Sequence, residues 1–147
     1  MAADSPTWAL YRDCIDRAKS ATHMGYIAGL LFFQGETDAL GAPLHPDAPL
    51  VPTTWAAEFS TLVAAFRSDL QIPKLPVVFA QLGTTTQSAP HWQTLKTQQR
   101  SVQLPNTVMI TTDDLPLTDY VHFTPASYQT IGKRFADAYH TLTTPVK

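Results

Sequence analysis

Two groups of polar residues stand where apolar stretches of this sequence end, and both have types and spacing suited to chemistry. The first is Gln34-Gly35-Glu36, with Asp38 close behind, at the end of "MGYIAGLLFFQ". A primary amide at a strand end can point two N–H donors at a developing oxyanion. A glycine beside it lets the backbone approach closely, because no side chain intervenes. The plain alternative for Gly35-Glu36 is a strand-to-loop turn with a solvated carboxylate. The second group is Asp119 and His122 in "TDYVHFTP", three residues apart. That spacing lets a carboxylate accept a hydrogen bond from an imidazole, fix its tautomer and stabilise its cation. A general base in acyl transfer needs this arrangement. D-x-x-H pairs also arise by chance, and a loop Asp capping a turn beside an exposed His is the commoner outcome for the pair alone. No H-x-H, H-E-x-x-H or cysteine cluster supports a metal site, so no metal and no cofactor is expected.

The elements that must position these residues follow from the apolar pattern. Ser5-Pro6 has the form of a helix cap and first helical residue, with Trp8, Tyr11, Ile15 and Ala18 at helical spacing behind it. The continuous apolar run predicts a strand over residues 26–34, buried on both faces. Residues 38–52, with one glycine and four prolines, predict a loop. A helix is expected from about Trp55, with Phe59, Leu62, Val63, Phe66 and Leu70 on one face. "LPVVFAQLG" predicts a second strand, near residues 76–82. Trp92, Leu95, Gln99 and Val102 form the stripe of a third helix. A strand near residues 107–112 and a helix capped by Thr124-Pro125 complete the order, with Tyr128, Ile131, Phe135 and Tyr139 turned inward. Helices alternating with strands mean a parallel sheet with right-handed crossovers, a three-layer α/β/α sandwich. Ligands of such sheets bind beyond the carboxyl ends of the strands. Gln34 ends the first, Gln81 the second, and Asp113-Asp114, Asp119 and His122 follow the third.

A length of 147 residues and a hydrophobic content of 44% suit one domain with a real core and exclude disorder. A net charge of -2, with scattered basic residues, argues against a nucleic-acid partner. No stretch reaches the length of a membrane span, so no membrane partner is expected. Cys14 is the sole cysteine, which rules out an internal disulfide; its apolar surroundings predict a buried, inert thiol. The N-terminus has neither the basic nor the apolar region of a signal peptide, and the chain as written is expected in the cytoplasm.

"GLLFFQGETDAL" resembles the Q-G-E-x-D block of sialate O-acetylesterase-like proteins, which include the family-six carbohydrate esterases and belong to the SGNH-type serine hydrolases. "DDLPLTDYVHFTPASYQTIGKRFADA" resembles their final block, a D-x-x-H pair followed by a helix with an I-G-x-R-x-A-like pattern. "WQTLKTQQRSV" resembles the helix before it, with Gln99 where the family often has Gln. The resemblance runs from about Trp8 to Tyr139. It implies a flavodoxin-like sheet and metal-free removal of O-acetyl groups from carbohydrates through an acyl-serine. His122 would be the base, Asp119 its orienting carboxylate and Gln34 an oxyanion-hole donor. Gly35, Glu36, Asp38 and Gln99 would support the site.

The sequence departs from this pattern at the nucleophile. A G-Q-S-N-like turn after a first strand is expected well before Gln34, and it is absent. None of Ser5, Ser20, Ser60, Ser68, Ser88, Ser101 and Ser127 lies in a G-D-S, G-Q-S or G-x-S-x-G turn. The expectation is a single, N-terminally incomplete esterase domain over residues 1–147, lacking one or two N-terminal strands. The edge of strand 26–34 would then invite self-association or a complementing N-terminal segment. The alternatives are a non-catalytic remnant that binds carbohydrate or a protein partner, and an unrelated α/β binding domain.

Overall fold

Val77–Ala80 (β2) is apolar at all four positions, and all four are buried. Successive side chains of a strand point to opposite faces, so such a run needs cover on both sides. In the computed structural model, which describes residues 6–41 and 51–144, it has that cover. Val77 and Phe79 face a layer built on Trp55, Phe59, Val63, Trp92 and Leu95. Val78 and Ala80 face Ile131 and Phe135. The strand is the centre of a three-stranded parallel sheet in the order β1-β2-β3, with Leu30–Phe32 (β1) and Thr107–Ile110 (β3) at its sides. Leu30 lies opposite Val77, and Val77 opposite Thr107.

The helices are α1 (Pro6–Ala21), α2 (Glu36–Leu40), α3 (Trp55–Asp69), α4 (Trp92–Ser101) and α5 (Pro125–Thr143). Packing of α3 and α4 on one face of the sheet and α5 on the other makes the expected α/β/α sandwich. Thr124 caps α5 by accepting a hydrogen bond from the Ser127 amide, with Pro125 at the first helical position. Arg67 ties the amino ends of the strands together, donating to the carbonyls of Leu75 at 3.0 Å and Pro105 at 2.6 Å.

Four expectations need correction. The first strand is three residues long rather than nine and is not buried on both faces: Leu31 is 58% exposed. Its outward face is the α5 side, but α5 lies over β2 and β3 and leaves an open cavity beside Leu31; Tyr139 bridges to the segment, its hydroxyl donating to the Ala28 carbonyl at 3.2 Å. The residues after Gly35 form α2, an element missing from the expected order, instead of a loop from Asp38; the proline-rich part of that loop lies largely outside the described residues. Cys14 is exposed, because α1 meets the body along Tyr11 and Ile15 and Cys14 lies about 100° round the helix from Ile15. Tyr128 is exposed too; its ring stands edge-on to Phe123 at the first turn of α5, beyond the sheet. Ser5 and the Trp8 side chain lie outside the described residues. Among the described residues, no helix is long and apolar enough to cross a membrane.

Candidate active site

All three strands are parallel, so the segments after them emerge at one end of the sheet. After β3 the chain turns back on itself, with Leu117 bridging Phe123. Inside this turn, Asp119 Oδ1 accepts the backbone N–H groups of Val121 and His122, each at 2.8 Å. Its Oδ2 lies 2.7 Å from His122 Nδ1. Those three hydrogen bonds, the His122 amide first, then the Val121 amide and the imidazole, lower the Asp119 carboxyl from 3.8 to about 2. Asp119 is therefore an anion, an acceptor only, and Nδ1 must carry the proton. The Nε2 lone pair is left outward on an exposed ring, with no hydrogen-bond partner among the described residues. An imidazole in this state can take a proton from a hydroxyl.

The second group forms around Gly35. Its φ of 146° is one that residues with side chains rarely adopt, and a Cβ would stand 2.7 Å from Leu95 Cδ2. The turn thus runs hard against α4. There Gln99, fully buried, spans two strand ends: its Oε1 accepts the Leu82 amide at 2.9 Å, and its Nε2 reaches the Gln34 carbonyl at 3.4 Å. The Gln34 side chain is exposed and hydrogen-bonds to the Asp38 carboxylate. Burial raises the Asp38 carboxyl above its ordinary value, the Gln34 bond opposes that rise, and repulsion from Glu58 and Glu36 adds to it. A primary amide has two N–H donors, so an interaction with Asp38 leaves capacity for another acceptor. Glu36 is half-buried at the start of α2.

The two groups are joined through their chain neighbours. The rings of Phe33 and Phe123, adjacent to Gln34 and His122 respectively, are 5.9 Å apart. The loop after β2 meets the Asp119–His122 turn as well: the Thr85 hydroxyl and the Thr86 amide donate to the Tyr120 carbonyl at 2.8 Å and 3.2 Å. Gln81 is not part of the site surface. It is buried, and its amide donates to the Lys96 carbonyl. Asp114 pairs with Arg134, whose guanidinium lowers that carboxyl. Asp113 pairs with Lys96, a buried lysine that the helical stripe did not include. Its signal in the sequence was position: residues 92, 95, 96 and 99 share one face of a helix.

No serine hydroxyl among the described residues meets His122. Ser60, Ser101 and Ser127 donate to the carbonyls of Ala56, Gln98 and Pro116. Among those residues, no cluster of three or more His, Cys, Asp or Glu could hold a metal ion.

A three-layer sandwich with a parallel sheet, and with an Asp–His pair and a glycine turn beyond its carboxyl ends, is an SGNH-like fold. The chain belongs to the family described as "Carbohydrate esterase, sialic acid-specific acetylesterase", whose sequence model matches residues 3–141. It is a carbohydrate acetylesterase-like domain. Two solved structures share the fold. A protein from Arabidopsis thaliana matches with a TM-score of 0.75 and 24% identity, over 90% of this chain and 52% of its own. A carbohydrate acetylesterase from Xanthomonas citri matches with a TM-score of 0.65 and 21% identity, over 78% of this chain and 26% of its own. The chain thus spans about half the length of the first and about a quarter of the second. No curated protein matches it.

Proposed function

We propose that residues 1–147 form the base-and-oxyanion part of a serine-type carbohydrate O-acetylesterase domain. The observation that carries this reading is the Asp119–His122 pair, with Nδ1 held at 2.7 Å and Nε2 left open. A serine hydroxyl presented by a strand-end turn outside the described residues would give its proton to Nε2 as its oxygen attacks the acetyl carbonyl. The free N–H of Gln34 would meet the developing oxyanion. The protonated imidazole would then hand its proton to the departing sugar oxygen, leaving an acetyl-serine. Water, deprotonated by the same Nε2, would release acetate. Gly35 and Gln99 hold Gln34 in place, and Glu36 and Asp38 keep the turn. No step needs a metal or an organic cofactor.

A second reading, a non-catalytic domain that binds carbohydrate or a protein partner, is favoured by one observation: no serine hydroxyl among the described residues meets His122. One experiment separates the two. The chain alone, and the chain joined or mixed with a segment carrying a β-strand and a G-Q-S-N-like turn, are assayed on acetylated sugars and aryl acetates. The chain alone should give at most about a thousandfold over water, the residue left when a triad member is missing. The completed protein should turn over, and His122→Ala should abolish it. Inactivity of the completed, folded protein, or activity that survives His122→Ala, would move the assignment to the binding reading or to another base.

A further inference from the structure

Lys96 is 5% exposed, and nothing in the acyl-transfer chemistry uses it. Its ammonium is ion-paired with Asp113 and donates to the Gly83 carbonyl at 3.2 Å. That carbonyl also accepts Trp92 Nε1 at 2.8 Å. Taking an ammonium out of water is costly, and an apolar side chain would fill this place on α4 at least as favourably. Stability of the core therefore does not account for a lysine here. Its two partners do point to a use. Gly83 opens the loop after β2, and Asp113 opens the segment after β3.

Those two segments meet again at the site. Gly83 is pressed against Phe123: a Cβ there would stand 2.8 Å from the Phe123 ring and 3.0 Å from the Thr112 carbonyl. Two residues on, the Thr85 hydroxyl holds the Tyr120 carbonyl, between Asp119 and His122. A continuous set of contacts thus runs from the Lys96 ammonium through Gly83 and Thr85 to the turn that carries the Asp–His pair.

We propose that Lys96 is a positioning residue for His122. Its buried charge locks the loop after β2 to the segment after β3, and the locked loop holds the 119–122 turn in the geometry that keeps Nδ1 on Asp119. The proposal rests on reading His122 as the base, but its test reads the imidazole directly and needs no turnover.

The tautomer of His122 is followed by two-bond 1H–15N spectra of the whole chain, assigned by the signal that His122→Gln removes. In the native chain Nδ1 carries the proton. In Lys96→Met the share of that tautomer should fall about twofold or more, and Lys96→Arg, which keeps the cation, should restore much of it. Arg67→Met is the control: it loosens the amino ends of the strands, far along the sheet, and should cost stability with the His122 tautomer unchanged. If Lys96→Met fails to fold, Asp113→Asn, which removes the charge partner at a half-exposed position, should give the same change to a lesser degree. The Asp119 side chain also binds the two backbone amides of its own turn. If that local turn alone fixes the pair, Lys96→Met and Asp113→Asn will leave the tautomer unchanged, and the proposal is overturned. An equal tautomer change in Arg67→Met would overturn it too, by showing general loosening. Failure of the esterase reading would appear instead as activity of the completed protein surviving His122→Ala, with the tautomer result standing.

Discussion

Gln99→Leu should destabilise the protein through a single orphaned amide. Leu and Gln have similar volumes, so the substitution opens little space beside Leu95 and Gly35. What it removes is the acceptor for Leu82 N–H, a bond of 2.9 Å between groups that are both buried. A buried donor left without a partner costs about 1–3 kcal/mol. The other bond, to the Gln34 carbonyl at 3.4 Å, is long and close to solvent, and adds little. The more apolar leucine returns part of the loss, and a net of about 1–2 kcal/mol remains. For a domain of this size each kcal/mol shifts Tm by about 2–4 °C, so Tm should fall by about 2–8 °C. Thermal unfolding followed by circular dichroism measures the fall. Amide exchange locates it: Leu82 N–H should lose protection while Val78 N–H, inside the sheet, follows only the global stability. Gln99→Glu supplies the sign check. It keeps an acceptor for Leu82 but buries a carboxylate, whose burial-raised pKa makes the variant regain stability as pH falls through it. A Tm within about 1 °C of the native chain and an equally protected Leu82 amide in Gln99→Leu would refute the claim that this side chain joins the two strand ends.

Three further outcomes are expected. Gly35→Ala should cost about 2–5 kcal/mol, from an unfavourable φ and a methyl forced onto Leu95, and a variant as stable as the native chain in urea would show that the turn relaxes freely. Asp119 has a folded-state pKa below its ordinary value, so its contribution is complete above about 3.8 and is lost as pH falls towards about 2. Asp119→Asn should therefore flatten part of the decline in Tm across that window, and parallel declines in the two proteins would count against it. Leu31→Lys should weaken self-association, because it puts a charge at the centre of an uncovered edge strand, while changing monomer stability by no more than about 0.5 kcal/mol; sedimentation velocity would expose the error if the native chain stays monomeric at high concentration.

The parts of this fold that could be read from sequence are those where local pattern and tertiary role coincide. In β2 an unbroken apolar run meant cover on both faces, and both α-layers supply it. Thr124-Pro125 is a cap by its own chemistry, whatever lies around it. The Asp119–His122 contact closes within four residues, so the spacing allowed it, and the turn capped by Asp119 beside an exposed His, the commoner expectation for such a pair, is present together with it. Leu31 shows the converse. Its segment has the same pattern as β2, but the outer position in the sheet and the reach of α5 decide exposure, and neither is written locally. Tyr128 and Cys14 fail for a related reason: helical spacing gives the face of a residue, while the extent of the neighbouring layer decides whether that face is covered.

Gln34 is the instructive middle case. Its residue type suggested an amide directed at an oxyanion, and the structure gives that amide a carboxylate partner instead. The two are compatible because a primary amide has two N–H groups and Asp38 uses one. They are also linked. Its carbonyl meets Gln99 only across 3.4 Å, so it is the Asp38 carboxylate that limits the freedom of the Gln34 side chain to follow a charge that develops elsewhere. A fixed donor helps only if it already points to where that charge appears, and it then needs no reorganisation. A loose one would have to be ordered in every turnover. Asp38 is thus tied to Gln34 by electrostatics as well as by proximity: as an anion it accepts from the amide and sets its direction, whereas a protonated carboxyl can also donate and would hold the amide less strictly. Burial raises the Asp38 carboxyl, so this control should weaken at the acidic end of any activity profile, before the Asp119 anchor of His122 is lost at about 2.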